Sequence, residues 1–234
     1  MKPIAIFRHS ATEGPGYFAI YLARCGLPWR LIRLDRGEAV PVDPAQFSGI
    51  AFMGGPMSVN DPLPWIGHAT QLIRRAMDRD IPVIGHCLGG QLLAKALGAG
   101  VTANPRREIG WHDIEVTAGA EARRWFGSTS AFEGFHWHGE TFGLPEQCTR
   151  ILSSRLCTNQ AFSLGKNLAM QCHIEMTCDL VDAWCVSGAD EIAEHRGDGV
   201  QSVAEIETDL ARRLANLHRV ADSVYARWVE GLVR

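Results

Sequence analysis

The stretch from Pro82 to Ala99, PVIGHCLGGQLLAKALGA, restricts the fold of this chain more than any other part of the sequence. Its first half is apolar and β-branched, as in a buried strand, and its second half is rich in helix-forming residues. Glycines crowd the junction, where Cys87 lies in a G-x-C-x-G pattern. The stretch therefore predicts a strand, a tight turn that carries Cys87, and a helix whose backbone packs closely against the strand.

Further apolar runs in the first half of the chain alternate with helical patterns. Short runs without polar interruption are typical of strands buried on both faces, and the intervening helices predict a parallel sheet covered on two sides. The predicted strands are 3–7, 29–34, 49–53 and the run that leads into Cys87, with helices at 17–26 and 69–80.

The second half of the chain changes character after Gly98. Five shorter strands are predicted there, at 109–116, 131–139, 150–154, 160–165 and 168–175. A helical pattern returns at 178–186, and apolar residues at three- and four-residue steps predict one long amphipathic helix within 203–229. The fold class is thus α/β: an open, mostly parallel twisted sheet with helices on both faces and an antiparallel extension.

Length, charge and cysteine content indicate the number of domains, the classes of partner and the redox environment to expect. A chain of 234 residues without linkers or repeats suits one domain over 1–234, with a catalytic core at about 3–190 and a C-terminal helical segment at about 200–234. A net charge of -3 gives no reason to expect nucleic acid or an anionic membrane as partner. No apolar run reaches the roughly 18 residues of a membrane span. Seven cysteines without a CxxC pair suggest free thiols in a reducing cytoplasm.

Cys87 has two interpretations from its own surroundings. It is either a nucleophile presented on a nucleophile-elbow turn or a small buried thiol between packing glycines. The N-terminus of the following helix would direct N–H groups and a positive dipole end at the sulfur, which favours the thiolate. We favour the nucleophile.

A thiolate nucleophile needs a base, a group that orients the base, and donors for an oxyanion. His173 and Glu175, in QCHIE, are two residues apart, so an extended backbone puts both side chains on one face at the end of a predicted strand. The GGP turn after the third strand exposes backbone N–H groups, and Gly55 together with Leu88 is the predicted oxyanion hole. An HxE pair or a GGP turn alone is weak evidence for a catalytic site. Together with the cysteine turn, they favour a Cys87–His173–Glu175 triad.

Other histidines and cysteines are interpreted as structural. His9 ends the first strand, where a satisfied structural role is favoured over a place in a pocket. His136, His138 and His173 form a conceivable metal site, but no carboxylate or thiolate spacing supports it, and no metal is predicted. Cys172 should point away from His173 and be inert.

Four segments together carry a resemblance to a known family. GGP, GHCLGGQLLAKALG, FHWHGETFGLP and QCHIE occur in the order found in the class I glutamine amidotransferases, and the sequence is similar to the free-standing group related to the amidotransferase domain of GMP synthase. The resemblance covers roughly residues 3 to 190. It implies a flavodoxin-like core, no cofactor, and glutamine or a γ-glutamyl compound as small-molecule substrate.

The resemblance also implies roles for particular residues. Cys87 would attack the side-chain amide carbon, and His173, oriented by Glu175, would transfer protons. Ammonia would leave and a γ-glutamyl thioester would be hydrolysed. The family's substrate pocket further implies Gln91 and the main-chain groups of a loop after the middle strand, which here are those of His138, Gly139 and Glu140.

Three departures from the family pattern are present. Ile174 replaces the usual proline between histidine and glutamate, His86 is an unusual neighbour of the nucleophile, and Glu140 replaces the more frequent aspartate. GMP synthase itself is excluded, since the chain has no pyrophosphatase loop of the SGGxDS type and no length for a synthetase domain.

The sequence leaves three functions open. The first is a glutaminase that supplies ammonia to a separate synthase subunit, and the second is a γ-glutamyl peptidase that acts on γ-glutamyl conjugates. The third is a non-enzymatic redox or regulatory α/β protein, which the HxE pair disfavours.

Overall fold

A computed structural model describes residues 1–233 as a nine-stranded sheet with helices on both faces. The strand order across the sheet is β2-β1-β3-β4-β9-β8-β7-β5-β6. The strands are β1 (Ile4–Arg8), β2 (Trp29–Arg33), β3 (Gly49–Phe52), β4 (Val83–His86), β5 (Val101–Val116), β6 (Ala131–Phe142), β7 (Thr149–Ser154), β8 (Ala161–Leu164) and β9 (Asn167–Met170).

Eight α-helices connect and cover these strands within the described residues. They are α1 (Gly16–Arg24), α2 (Pro64–Asp78), α3 (Leu88–Ala96), α4 (Ala120–Phe126), α5 (Cys178–Ser187), α6 (Ala189–Glu194), α7 (Val203–Glu207) and α8 (Leu210–Val229). No helix in residues 1–233 is both long enough and apolar enough to span a membrane.

The predicted α/β architecture is confirmed. β2, β1, β3, β4 and β9 are parallel to one another in that order, which is the doubly wound 2-1-3-4-5 arrangement of a flavodoxin-like core. β8, β7, β5 and β6 continue the sheet through antiparallel pairs and form the extension. In an open parallel sheet, ligands bind beyond the carboxyl ends of the strands.

The core lies on both faces of the sheet, as the continuous apolar strands predict. Phe18 and Leu22 of α1 are fully buried on one face together with Val224 of α8. On the other face, Leu72 and Ile73 of α2 pack with α3 against the sheet. Side chains on alternate positions of β1 and β3 belong to the two different clusters, so these strands have no polar face.

The prediction of one long C-terminal helix within 203–229 is wrong, because the structure has two helices in this range. α7 begins at a capping box in which Ser202 and Glu205 exchange hydrogen bonds, and it ends at Glu207. Asp209 has a φ of 56°, a left-handed conformation that a helix cannot contain, and α8 begins after it. Apolar periodicity continues through the break and conceals it.

Three predicted strands also have clearly different bounds, and β5 begins at Val101 rather than at 109. β9 ends at Met170, so His173 and Glu175 lie in an irregular segment beyond the strand rather than in it. β6 extends to Phe142, so His138, Gly139 and Glu140 belong to a strand and not to the loop that the family resemblance implies. β6 stays paired with β5 on both sides of a bulge between Ala103 and Glu108, which keeps it extended.

Candidate active site

Cys87 occupies a sharp turn between β4 and α3. Its φ of 50° and ψ of -109° are strained for a residue with a side chain, and its N–H donates to the carbonyl oxygen of Met170 over 2.8 Å. Leu88 is the first residue of α3, which therefore begins immediately after the sulfur-bearing residue. The turn places Cys87 at the carboxyl edge of the parallel strands with 7% of its surface exposed.

The glycines around Cys87 are there because backbones touch at those positions. A Cβ on Gly85 would lie 2.3 Å from the carbonyl of Gly89, and a Cβ on Gly89 would lie 2.1 Å from the carbonyl oxygen of Phe52. A Cβ on Gly90 would lie 2.5 Å from the carbonyl oxygen of Met170. Any side chain at these positions would push α3 away from the sheet, so the glycines fix how close the helix N-terminus comes to the sulfur.

His173 and Glu175 form a buried hydrogen-bonded pair at the same edge. Nδ1 of His173 lies 2.6 Å from Oε1 of Glu175, and the backbone N–H of His173 donates to the carbonyl oxygen of Phe135 on β6 over 2.8 Å. The ring of Trp184 from α5 meets the His173 ring edge-on, with centroids 4.7 Å apart. The pairing with Glu175 leaves Nε2 as the nitrogen available for proton transfer.

The charges of this pair favour an ionised carboxylate and a protonated ring. Burial alone would raise the pKa of Glu175, but the neighbouring rings of His86 and His173 lower it to about 2. Burial acts to lower the pKa of His173, yet the carboxylate of Glu175 and the sulfur of Cys87 raise it well above its ordinary value. Nε2 of His173 has no hydrogen-bond partner within residues 1–233.

The sulfur of Cys87 has two further polar neighbours. Nε2 of Gln171 lies 3.4 Å from Sγ, and the carbonyl oxygen of Trp137 lies 3.9 Å from it. Nε2 of Gln91 in turn donates to Oε1 of Gln171 over 3.2 Å. Gln91, predicted as a pocket residue, is thus linked to the sulfur through Gln171.

The predicted oxyanion donors come from two segments in contact. Gly55 follows β3, and a Cβ on it would lie 2.6 Å from Cδ2 of Leu88. The N–H of Leu88, at the first position of α3, has no acceptor within the helix. The structure therefore brings the Gly55 turn and the start of α3 together beside Cys87.

A cavity of about 690 Å³ opens over Cys87. Of the residues predicted for the site, those that line it are Gly55, Cys87, Gln91, His138, Gly139 and Glu140. Leu88, His173 and Glu175 do not line it. The cavity extends well beyond the sulfur to a rim of tryptophans and charged groups, formed by Arg107, Trp137, Trp184 and Glu191.

His86 lies behind the triad and not in the cavity. It is fully buried, its Nε2 lies 3.1 Å from the hydroxyl of Tyr225 on α8, and the same atom lies 3.8 Å from Oε2 of Glu175. Burial lowers the pKa of His86, which favours the neutral ring. His86 and Tyr225 together close the side of Glu175 that faces away from His173.

A second buried cluster lies beneath the cavity floor. Ligand-type atoms of Glu108, His136 and His138 lie within 4.8 Å of one another, so the carboxylate that no sequence spacing indicates is supplied by β5. Oε2 of Glu108 lies 3.1 Å from Nε2 of His138 and accepts from Nε2 of Gln160 over 2.7 Å, while Oε1 accepts from Ser154 over 2.7 Å. His173 does not belong to this group.

In these contacts the carboxylate of Glu108 accepts hydrogen bonds from the chain itself. Both ring nitrogens of His138 face oxygen atoms, Oε2 of Glu108 on one side and the carbonyl oxygen of Glu140 at 3.0 Å on the other. Burial alone would raise the pKa of Glu108, but His138, His136 and Ser154 lower it to about 2. The carboxylate already has three donors.

The sequence motifs assign no role to three residues of the site. Gln171 is the first residue of the QCHIE segment, but that segment suggests roles only for His173 and Glu175, whereas the amide of Gln171 contacts the sulfur of Cys87. Trp184, which packs against His173, lies in a helical pattern that carries no local signal. Glu13, in the loop between β1 and α1, lines the cavity. Its position after the first strand of a parallel sheet is the only signal in the sequence that indicates it.

A flavodoxin-like sheet with a cysteine elbow and a histidine–glutamate pair at one edge has the architecture of a class-I glutamine amidotransferase. The family model for class-I glutamine amidotransferases matches residues 18–184, and the chain belongs to this family.

Relatives of known name agree with this assignment. The glutamine amidotransferase-like protein YfeJ of Salmonella typhimurium is 31% identical over 206 residues, which are 85% of this chain and 86% of that protein. GMP synthase of Aromatoleum aromaticum is 31% identical over 139 residues, 56% of this chain but 26% of the synthase. This chain thus corresponds to a part of that enzyme.

Solved structures are similar over the whole chain. A glutamine amidotransferase from Methylobacillus flagellatus has 45% sequence identity and a TM-score of 0.98, covering 100% of this chain and 96% of its own. A glutamine amidotransferase from Thermotoga maritima has 27% identity and a TM-score of 0.88, with 97% and 98% covered.

Proposed function

We propose that this protein hydrolyses the side-chain amide of glutamine, or a γ-glutamyl amide, through a γ-glutamyl thioester on Cys87. The observation that carries the proposal is the cavity that opens over Cys87, with the His173–Glu175 pair at the same sheet edge. The family supports glutamine amide hydrolysis in general. The thioester and the residue roles below are part of the proposal.

Acylation begins with the thiolate of Cys87 and the protonated ring of His173. The sulfur attacks the amide carbon and forms a carbon–sulfur bond, while the carbonyl oxygen becomes an oxyanion. The N–H groups of Gly55 and Leu88 stabilise that oxyanion, since fixed donors in a site shielded from water favour developing charge. His173 transfers its Nε2 proton to the nitrogen, the carbon–nitrogen bond breaks, and ammonia or an amine leaves.

Deacylation uses the same groups in reverse. The neutral ring of His173 takes a proton from water, which attacks the thioester carbon, and the carbon–sulfur bond breaks to restore the thiolate. Glu175 keeps Nδ1 of His173 protonated throughout and stabilises the positive ring. Gln91, His138, Gly139 and Glu140 are placed on the cavity wall to hold the rest of the substrate.

The size of the cavity favours γ-glutamyl conjugates as a second candidate substrate. Its volume of about 690 Å³ is in the range of sites that hold drug-sized ligands, and glutamine alone would leave much of it empty. Trp137, Trp184 and the Arg107–Glu191 ion pair border this additional space. An amine portion of a conjugate would occupy it.

A separate protein that accepts ammonia is the other possibility, and it is favoured by a relative. One subunit of the glutamine-hydrolysing GMP synthase of Sulfolobus acidocaldarius is 29% identical over 124 residues, which are 50% of this chain and 63% of that subunit. The synthase of that organism is thus divided between different chains. By analogy, this chain would deliver ammonia to a second protein.

Steady-state assays on glutamine and on γ-glutamyl dipeptides test the proposal and separate its two substrates. Turnover of glutamine without turnover of dipeptides identifies a glutaminase, and the reverse identifies a γ-glutamyl peptidase. Intact mass after treatment with a glutamine-analogue diazo-ketone should show one adduct on Cys87. A protein that turns over neither substrate and carries the adduct on another cysteine would exclude the triad and leave the redox or regulatory alternative.

A further inference from the structure

Glu13 is an ionisable side chain of the cavity that the mechanism above does not use. It lies in the loop between β1 and α1 and lines the cavity together with Cys87. Its side chain is half-buried. Such a carboxyl group is costly to keep near an apolar wall unless it interacts with something in the site.

Gly54 shows where the carboxyl group of Glu13 lies. A Cβ on Gly54 would come within 2.3 Å of Oε2 of Glu13 and within 3.1 Å of Cε1 of His173. The Glu13 carboxyl and the Cε1 edge of the His173 ring therefore share the same small space beside Gly54. In an imidazole ring Cε1 is bonded to both nitrogens, so this space borders the ring edge that contains Nδ1, which pairs with Glu175, and Nε2, which Glu175 leaves free.

The backbone around Glu13 is held to the His173 segment on both sides. Nε1 of Trp184, whose ring packs edge-on against His173, donates to the carbonyl oxygen of Thr12 over 2.8 Å. After the loop, the N–H of Tyr17 donates to the carbonyl oxygen of Glu175 over 2.7 Å. The position of Glu13 relative to the His173 ring is thus built into the fold.

The charged surroundings of Glu13 are specific. Burial raises its pKa to about 7, the ring of His173 opposes that rise, and the carboxylate of Glu175 adds to it. Cys87, Glu140 on β6 and the Arg107–Glu191 ion pair line the same cavity. No hydrogen bond within residues 1–233 contributes to the pKa of Glu13, so its carboxyl oxygens are available to a ligand.

We propose that Glu13 is a further catalytic residue, whose carboxylate binds the departing nitrogen of the substrate amide and then the water that replaces it. This inference rests on the proposed function, because it assigns a residue to the leaving-nitrogen side of the same site. During acylation, Nε2 of His173 gives its proton to the nitrogen, and Glu13 accepts a hydrogen bond from a nitrogen-bound hydrogen. During deacylation, water donates one hydrogen to His173 and the other to Glu13. Glu13 gains and loses no proton in the cycle.

The test compares wild type with Glu13→Gln and Glu13→Ala, and uses Glu146→Gln, an exposed residue far along the chain, as the matched control. The substrates are those of the proposed function, assayed between about pH 5 and about pH 9. In wild type, kcat/KM should rise as the pH passes through about 7, because this ratio reports ionisations of the free enzyme and the carboxylate is the form that accepts both hydrogen bonds. Glu13→Gln should lower kcat on the order of 100-fold, leave KM nearly unchanged and remove that rise.

Two results would overturn the proposal. A Glu13→Gln variant with raised KM and unchanged kcat would place Glu13 against the substrate's α-ammonium group instead. A Glu13→Gln variant whose kcat and pH profile match those of wild type would show that Glu13 takes no part in the reaction. Glu13→Gln keeps the size of the side chain, and a thermal melt equal to that of Glu146→Gln shows that a loss of kcat is not a loss of folding.

A measurement without substrate separates failure of this inference from failure of the proposed function. The rate at which neutral iodoacetamide alkylates Cys87, read by mass spectrometry of the peptide that contains Cys87, reports the charges that face its sulfur. Wild type should show an inflection near pH 7 that Glu13→Gln lacks. If no substrate is turned over, the proposed function fails, and the pH dependence of the alkylation rate alone tests where Glu13 lies. A missing inflection in Glu13→Gln supports the placement of Glu13 beside the site. Identical pH profiles in wild type and Glu13→Gln overturn that placement.

Discussion

Nε2 of His86 lies 3.8 Å from Oε2 of Glu175, on the side of that carboxylate opposite His173. Oε2 has no hydrogen-bond partner within residues 1–233, and the ring of His86 is held by the hydroxyl of Tyr225 at 3.1 Å. The residue before the proposed nucleophile therefore lies against the far end of the proposed triad. Its unusual identity in the sequence is explained by this contact, which joins β4 to α8.

Tyr225→Phe tests this support. The variant leaves Nε2 of His86 buried without its partner, which should lower the free energy of unfolding by about 1–2 kcal/mol. It should also lower kcat with KM unchanged, because the Glu175 carboxylate loses a fixed neighbour. Urea unfolding and steady-state kinetics measure the two effects. Ser223→Ala on the exposed face of the same helix should change neither, and an effect there would implicate the helix as a whole.

Cys87→Ala should abolish labelling by the diazo-ketone and all turnover. The substitution removes one sulfur atom at a position already held by the elbow, so the free energy of unfolding should change by no more than about 1 kcal/mol. Intact mass and a thermal melt are the measurements. Cys172→Ala is the matched control: burial raises the pKa of this thiol well above its ordinary value, and labelling should persist. Retained labelling in Cys87→Ala would contradict the proposed nucleophile.

Two glycine substitutions should shift stability in opposite directions. Gly89→Ala puts a Cβ 2.1 Å from the carbonyl oxygen of Phe52, which should cost at least about 1–3 kcal/mol and displace the start of α3. Gly67→Ala, on an exposed face of α2 with open space around it, should stabilise the protein by about 0.5–1 kcal/mol. Chemical denaturation of both variants measures the difference. Equal changes would show that contact at the elbow is not what requires Gly89.

Glu108 should make the protein sensitive to acid. Its pKa falls from 4.5 to about 2 on folding, so its contribution, about 3 kcal/mol, is fully present above pH 4.5 and is lost as the pH falls through about 2. Glu108→Gln should flatten the loss of stability in that window. At neutral pH it should cost about 1–3 kcal/mol, because an amide nitrogen replaces one acceptor oxygen and leaves a buried donor of the cluster unsatisfied. Urea midpoints across the acid range, with Glu146→Gln as control, measure both effects.

The sequence predicts the parallel half of this fold well because short apolar runs between helices have few other solutions. Local chemistry also indicates Cys87 and the His173–Glu175 spacing, whose roles stay predictions until the site is tested. The spacing argument holds although β9 ends before His173, since the two side chains meet from an irregular segment as they would from a strand.

What the sequence could not predict depends on contacts between distant segments. Glu13 reaches the His173 ring only because the first loop is tied to Trp184, 172 residues later. Glu108 meets His138 through strand pairing across a bulge. The break before α8 depends on one backbone angle at Asp209, and apolar periodicity contains no information about such an angle.

The contact between His86 and Tyr225 has a consequence for how the protein is made. The two residues are 139 positions apart, and α8 is the last helix among the described elements. A growing chain that has already completed Cys87, His173 and Glu175 still lacks the hydroxyl that holds His86. During synthesis the proposed triad residues are thus present before the contact behind Glu175 can form, because that contact requires α8 to have left the ribosome and docked.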